Sequence, residues 1–259
     1  MIIDSHTHVA KFGNKIYPAK KLLSSMDEAG INYSLLIAVG QTTTDQVIKI
    51  CENNPRLRAI GYLPYSSLDN RQINKIVKYL KEGKIYGVKL YPGYENFYPM
   101  DEKLFPLYAQ CQKISQPVIF HTGVLMAGLA GILKQVHPLH IDEVANKFPD
   151  LKIVMAHFGN PWIVDTAAVI LRNKNVYIDL SGYFAEFLHL SPRDISFFVK
   201  DLTYFKNFVG SFKNCLFGTD WPLYSQKEYL EAALQLPLTD EEKDLVFWKN
   251  TKEIFGLEV

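Results

Sequence analysis

Eight short apolar runs at near-regular intervals constrain this chain more than any other feature of its sequence. They cover residues 1–4, 33–39, 57–63, 86–91, 117–120, 152–156, 176–180 and 215–218, and turn-forming residues follow them. Runs that are continuously apolar, rather than alternating, suit parallel strands covered on both faces. Helical spacing fills the intervals, at 20–28, 44–53, 69–82, 101–114 and 141–148 among others. Strand starts fall about 30 residues apart, the size of a βαβ repeat. A (β/α)8 barrel typically takes about 250 residues. Eight units in 259 residues therefore predict an α/β fold closed as a TIM barrel, over an open sheet. With no Pro-, Gly- or Ser-rich linker in the chain, residues 1–259 are expected to form one domain.

The charge balance narrows the partners. Lys and Arg number 28 against 27 Asp and Glu, so the chain carries no basic footprint for nucleic acid or an anionic membrane surface. A small-molecule substrate is the expected partner, and a homodimer is the one assembly left open. Cys51, Cys111 and Cys215 are an odd, scattered set without a CxxC pair. They predict free thiols in a reducing compartment, not a disulfide framework or a zinc ribbon. No apolar run approaches the roughly 18 residues of a membrane span, and Met1 leads into Ile2 and Ile3 without a basic leader. A cytoplasmic location is the expectation.

The first strand continues as Asp4-Ser5-His6-Thr7-His8, and residues i and i+2 of an extended strand project to one side, so two imidazoles can share a metal. Other strands finish at His121, His157 and Asp220. In a barrel these C-terminal ends converge, and about one of the seven histidines should reach that rim by accident, whereas four do. Imidazoles plus one carboxylate, with room for water, are the donor set of a catalytic Zn²⁺ or another divalent first-row metal. Such an ion acidifies water and polarises a carbonyl, and Asp220 is the natural base. Asp179, in an otherwise apolar run, either orients a ligand imidazole or makes a strand-end hydrogen bond. His137, His140 and His189 are read as surface or packing residues.

The segments MIIDSHTHV, GVKLYP, PVIFHTG, FPDLKIVMAHFGNPW, VYIDLSG and LFGTDWP together resemble the amidohydrolase superfamily, in particular its amidohydrolase-related group of small-ring hydrolases and non-oxidative decarboxylases. The resemblance implies His6, His8, His121 and Asp220 as metal ligands, and His157 as a second-metal ligand or an electrophilic partner to the substrate. Lys89, in GVKL, has three readings: a carboxylated bridge between two ions, an unmodified pocket lysine, or a lysine paired outside the barrel. One or two ions are therefore expected, with one favoured.

Aromatic residues crowd the rim segments, and Tyr91, Trp162, Tyr183 and Trp221 are expected to contact substrate. The loop 122–140 is apolar at Val124, Leu125, Met126, Leu129, Ile132 and Leu133, and reads equally as a packed helix or a pocket wall. Of five arginines only Arg193 falls in a plausible rim loop, so a dianionic substrate lacks its usual clamp. The expected activity is hydrolysis of a small lactone, cyclic amide or related carbonyl compound by metal-activated water, with Asp220 and His157 catalytic. A metal-dependent decarboxylase of a small aromatic or unsaturated acid uses the same ligands and is the alternative. A catalytically silent barrel acting as a binding protein is the alternative of another class.

Overall fold

The computed structural model describes residues 1–12, 15–40, 42–184 and 189–259. Eight parallel strands, β1 (Ile3–Thr7), β4 (Tyr33–Ile37), β5 (Leu57–Tyr62), β6 (Val88–Leu90), β7 (Val118–Phe120), β8 (Ile153–Met155), β9 (Val176–Asp179) and β10 (Cys215–Leu216), follow one another in chain order around one sheet. Its edges are joined by Ser5 N–H donating to Phe217 O at 2.9 Å, Asp220 N–H to His6 O at 2.8 Å and His8 N–H to Trp221 O at 2.8 Å. The TIM barrel expected from the spacing is what the chain forms. A hairpin of β2 (Ala10–Phe12) and β3 (Lys15–Tyr17) rises from the end of β1.

Helices α1 (Ala19–Ala29), α2 (Thr44–Glu52), α3 (Asn70–Lys81), α4 (Phe105–Lys113), α5 (Leu139–Lys147), α6 (Ile163–Arg172), α7 (Pro192–Val209) and α8 (Gln226–Ala233) form the outer layer. Local chemistry sets their ends. Thr43 and Gln46 make a reciprocal capping box on α2, and Ser191 with Asp194 does the same on α7, where Pro192 occupies the first turn. The expected helix at 101–114 divides into a 3₁₀ turn, Glu102–Leu104, and α4. Pro106 lacks the N–H that would bond back across the junction, so α4 starts afresh beside it.

Strand residues alternate between two cores. Ile3, Leu35, Ile37, Ile60, Ile119, Val154, Ala156 and Leu216 pack together within the barrel, whereas Leu36, Ala59, Val88, Phe120 and Ile178 face the helices. After α9 (Asp240–Asp244) and a π turn, α10 (Asn250–Phe255) adds Ile254 and Phe255 to the inner cluster, and Leu257 beyond it joins them. Phe255 lies against Gly87, at the start of β6, so the chain's last helix stoppers the end of the barrel opposite the strand C-termini. No helix among the described residues is long and apolar enough to cross a membrane.

Because Phe255 is 1% exposed in that stopper, Phe255→Ala should cost about 3–5 kcal/mol. Thermal unfolding should show the midpoint falling by roughly 10 °C. A fall of under about 2 °C would show that the end tolerates the void.

Candidate metal centre

The pairing of β1 with β4 slips at the critical point. Ile3 and Asp4 sit opposite Tyr33 and Ser34, but Thr7 sits opposite Leu36, so three residue steps on β1 span two on β4. A bulge of this kind re-aims the side chains beyond it. Ile3 belongs to the interior core, while His6, inside the slipped interval, and His8, beyond it, both line the cavity above it. β1 also runs further than the apolar run 1–4 suggests, because its polar residues are buried and their backbone groups are paired on both sides.

Each imidazole has its Nδ1 proton committed. His6 Nδ1–H donates to Asp179 Oδ2 at 2.8 Å and His8 Nδ1–H donates to Ile37 O at 3.0 Å. Acceptors that carry no proton fix the tautomer, leaving both Nε2 lone pairs free for a cation. Asp220 Oδ1 lies 3.1 Å from His8 Nε2 and 3.9 Å from His6 Nε2. His121, one residue beyond β7, bonds to the Val124 backbone. The ring of His157, two residues beyond β8, lies 4.9 Å from that of His6 and 4.7 Å from that of His121, centroid to centroid. The structure thus gathers His6, His8, His121, His157 and Asp220 in one place.

Asp179 organises them. Besides the His6 bond, its Oδ1 accepts from the backbone N–H groups of His157 at 3.0 Å and Ser181 at 3.1 Å, and from the Ser181 hydroxyl. With these oxygens taken, Asp179 is a brace for the ligands. His157, Phe158 and Asp220 adopt left-handed backbone at φ 63°, 55° and 64°, a strain of order 1–3 kcal/mol each that the surrounding bonds must hold. Gly182, at φ 58°, completes the packing, since a Cβ there would stand 2.4 Å from His157 Nδ1 and 3.1 Å from Asp220 Oδ2.

Burial keeps the rings of His6, His121 and His157 neutral. Desolvation, reinforced by the nearby Lys89 charge, holds His6 well below the ordinary imidazole range and brings His121 down to about 3. The buried Nε2 atoms of His6 and His121 have no hydrogen-bond partner. Two orphaned lone pairs, a third on His8 and a carboxylate oxygen beside them fit a divalent first-row cation. Lys89, on β6, is fully buried with Nζ unpartnered and 5.2 Å over the Tyr91 ring. Desolvation lowers its ammonium to about 8 against the opposing pull of Asp179 and Asp220. It points inward, which removes the reading of a lysine paired outside the barrel.

Above the histidines opens a cavity of about 570 Å³. Val124, Leu125, Met126 and Leu129 form one wall of it, while Leu133 starts a short 3₁₀ turn and Ile132 is exposed. The pocket-wall reading of the 122–140 loop therefore holds for Val124–Leu129, whereas Ile132 and Leu133 are exposed and do not form the apolar face of a packed helix. Of the expected substrate contacts, Tyr91 lines the cavity and the other three do not. Trp162 precedes α6 with its ring on His137, the Tyr183 hydroxyl donates to Asp201 Oδ2 at 2.6 Å, and Trp221 stands edge-on to Tyr17 of the hairpin. Helix and hairpin neighbours claim those side chains. Tyr62, Tyr94 and Glu95 line the cavity instead.

Asp4 is a functional support absent from the motif reading. It accepts from His6 N–H at 3.1 Å, Thr219 N–H at 3.0 Å, Thr219 Oγ1 at 2.6 Å and Gln226 Nε2 at 2.8 Å. Burial raises its carboxyl to about 6 despite those donors. Its one signal in the sequence is an acidic residue ending an apolar run.

A family model described as Amidohydrolase matches residues 3–257. No curated protein matches by sequence. Among solved structures, a probable 2-pyrone-4,6-dicarboxylic acid hydrolase from Acinetobacter baumannii, with citric acid bound, superposes with TM-score 0.74 at 19% identity over 99% of both chains. A Burkholderia multivorans amidohydrolase with bound zinc gives 0.78 at 15% over 100% of both. The 5-carboxyvanillate decarboxylase of Sphingomonas paucimobilis gives 0.71 at 16% over 99% of both. At such identities these likenesses speak for the fold.

The double variant His6→Ala/His8→Ala should lose its bound metal, from about one equivalent to a small fraction, while its circular dichroism stays that of the wild type. Retention of a full equivalent would remove these two residues from the centre.

Proposed function

The chain belongs to the amidohydrolase family, and from that premise we propose that it is a metal-dependent hydrolase of small lactones, cyclic amides or related carbonyl compounds. The convergence of unprotonated imidazole nitrogens and one carboxylate beneath an apolar cavity carries this reading. His6, His8, His121 and Asp220 would hold one divalent ion, for which zinc is the choice supported by the zinc-bound relative. When bound, such an ion lowers the pKa of water towards 7 and polarises the carbonyl to be attacked.

The chain's own groups do the rest. Asp220 is the proton acceptor: Oδ1 faces the histidines, and Oδ2 lies over Gly182. Ser181 spends its hydroxyl proton on Asp179, so the 3.0 Å contact between Ser181 Oγ and His157 Nδ1 has the imidazole as donor. Neutral His157 then offers an Nε2 lone pair, which makes it a proton relay or ligand first, and an oxyanion donor only after it has taken a proton. Tyr94 accepts from Met126 N–H at 2.8 Å and keeps its own proton to orient a substrate oxygen. The Tyr91 hydroxyl, by contrast, is spent on Ala38 O at 3.0 Å, so Tyr91 contributes a ring face.

The decarboxylase alternative is favoured by the 5-carboxyvanillate decarboxylase fold likeness. Against it, no Lys or Arg lines the cavity among the described residues. The free thiols of Cys51, Cys111 and Cys215 support a reducing, cytoplasmic setting.

Incubating metal-loaded protein with a panel of small lactones and cyclic amides, and with arene carboxylates, separates the two activities by product: ring-opened acid or carbon dioxide. On the lactone that turns over best, Asp220→Asn should lower kcat about 100-fold or more. Near wild-type turnover in that variant would assign the base elsewhere.

The ion number is read through Lys89, which can bridge two cations only as a carbamate, since an ammonium repels them. For a single-ion site, Lys89→Ala should keep about one metal equivalent by elemental analysis. A fall from two equivalents towards one would establish a bridged pair.

A further inference from the structure

We infer that the cavity is built for uncharged, largely apolar carbonyl compounds and rejects carboxylated ones, with Glu95 as the residue that enforces the rejection. This names the substrate class for the hydrolase reading above and rests on it.

The cavity has a polarity gradient. Its floor is the histidines and Asp220, and its upper lining includes Val39, Leu125, Met126, Leu129, Phe184 and Leu223. The apolar wall is tethered, with Val124 N–H donating to Asn160 O at 2.8 Å, Met126 N–H to Tyr94 Oη at 2.8 Å and Ile132 N–H to Gly93 O at 3.0 Å. The last tether needs glycine, because Gly93 sits at φ 84° and a Cβ on it would lie 2.5 Å from Val136 Cγ1. A ligand with its carbonyl towards the histidines therefore sets its far end against a fixed hydrocarbon surface. A charged group there would lose its water and gain no partner.

The charges that do line the cavity are of one sign. Among the described residues they are Asp220 and Glu95, and no Lys or Arg joins them. Lys89 is not among the lining residues: its Nζ lies 5.2 Å over the Tyr91 ring and its charge is opposed by Asp179 and Asp220, while Arg193, the one arginine expected near the rim, lies over the Phe197 ring on α7. Glu95 Oε1 accepts the Tyr65 N–H at 2.8 Å, and burial pushes its carboxyl above the ordinary range against the opposing pull of the Tyr65 and Ser66 amides and the Tyr62 hydroxyl. Its buried Oε2 completes no hydrogen bond. A half-satisfied carboxylate set in this wall, with no cation beside it in the lining, disfavours an incoming anion and accepts from a neutral hydroxyl or amide N–H.

A matched pair of ligands tests this: a 2-pyrone carrying a phenyl substituent, and the same ring carrying a carboxylate in its place. Binding to the metal-loaded protein is measured by calorimetry, and ring opening separately by chromatography. The neutral ring should bind at least about tenfold tighter. Glu95→Gln, and independently Leu125→Lys, should narrow the gap by strengthening the carboxylated ligand about fivefold or more. Equal or tighter binding of the carboxylated ring, an unchanged gap in both variants, or binding of neither ring overturns the inference. A neutral ring that binds tightly but is not opened supports the selectivity and counts against hydrolysis. A carboxylated ring that binds tighter and is opened does the reverse.

Discussion

The carboxylate of Asp179 is the constraint on which the rest of the centre depends. It accepts one imidazole proton, two backbone protons and one hydroxyl proton from three separate segments of the rim. Those bonds decide which nitrogen of His6 is free, where His157 sits on its left-handed backbone, and which way Ser181 points. Asp4 plays the matching part across the seam between the first and last strands, taking protons from His6, Thr219 and Gln226. Two buried carboxylates thus join strand ends that are far apart in sequence. Either one, left without its donors, would carry the cost of an unpaired buried charge. Positional precision at the rim comes from this pairing, since β10 contributes only two residues of ladder, Cys215–Leu216.

What was legible in the sequence follows the same division. Continuous apolar runs located all eight barrel strands, because a strand covered on both faces must be apolar throughout. Ligand-type residues at strand ends were legible for a similar reason: the fold brings those ends together whatever the loops do. The extension of β1 to Thr7 was not, because its polar residues are buried through backbone pairing and side-chain bonds that no local pattern encodes. The slip between Asp4 and Thr7 is equally silent, being a mismatch between two strands rather than a property of either.

Side-chain direction was the harder quantity. Trp162, Tyr183 and Trp221 are the right residue types in the right segments, yet His137, Asp201 and Tyr17 hold them elsewhere. Tyr62 and Glu95 reach the cavity from segments that carry no ligand motif. A rim aromatic has several neighbours within reach, and the one it meets is set by helix packing, so composition predicts an aromatic rim without predicting which rings face inward. Asp179 was narrowed to two roles and fills both, since one carboxylate orients His6 and also takes strand-end amide protons.

Neutral imidazoles in a dry pocket resolve a competition between protons and metal ions. A histidine in water near its ordinary pKa must give up a proton before it can ligate, which makes metal affinity fall as pH falls. Here desolvation and the charge of Lys89 together suppress protonation of His6, His121 and His157. The same burial would oppose a bare cation, but Asp220 within the group and Asp179 behind it return negative charge to balance it. A site arranged in this way disfavours the proton more than the divalent ion, because the proton finds a single imidazole while the ion is met by several lone pairs at once. The largely apolar lining of the cavity above then serves the centre as well as the substrate: with no Lys or Arg in it among the described residues, it brings no further cation to compete with the divalent ion.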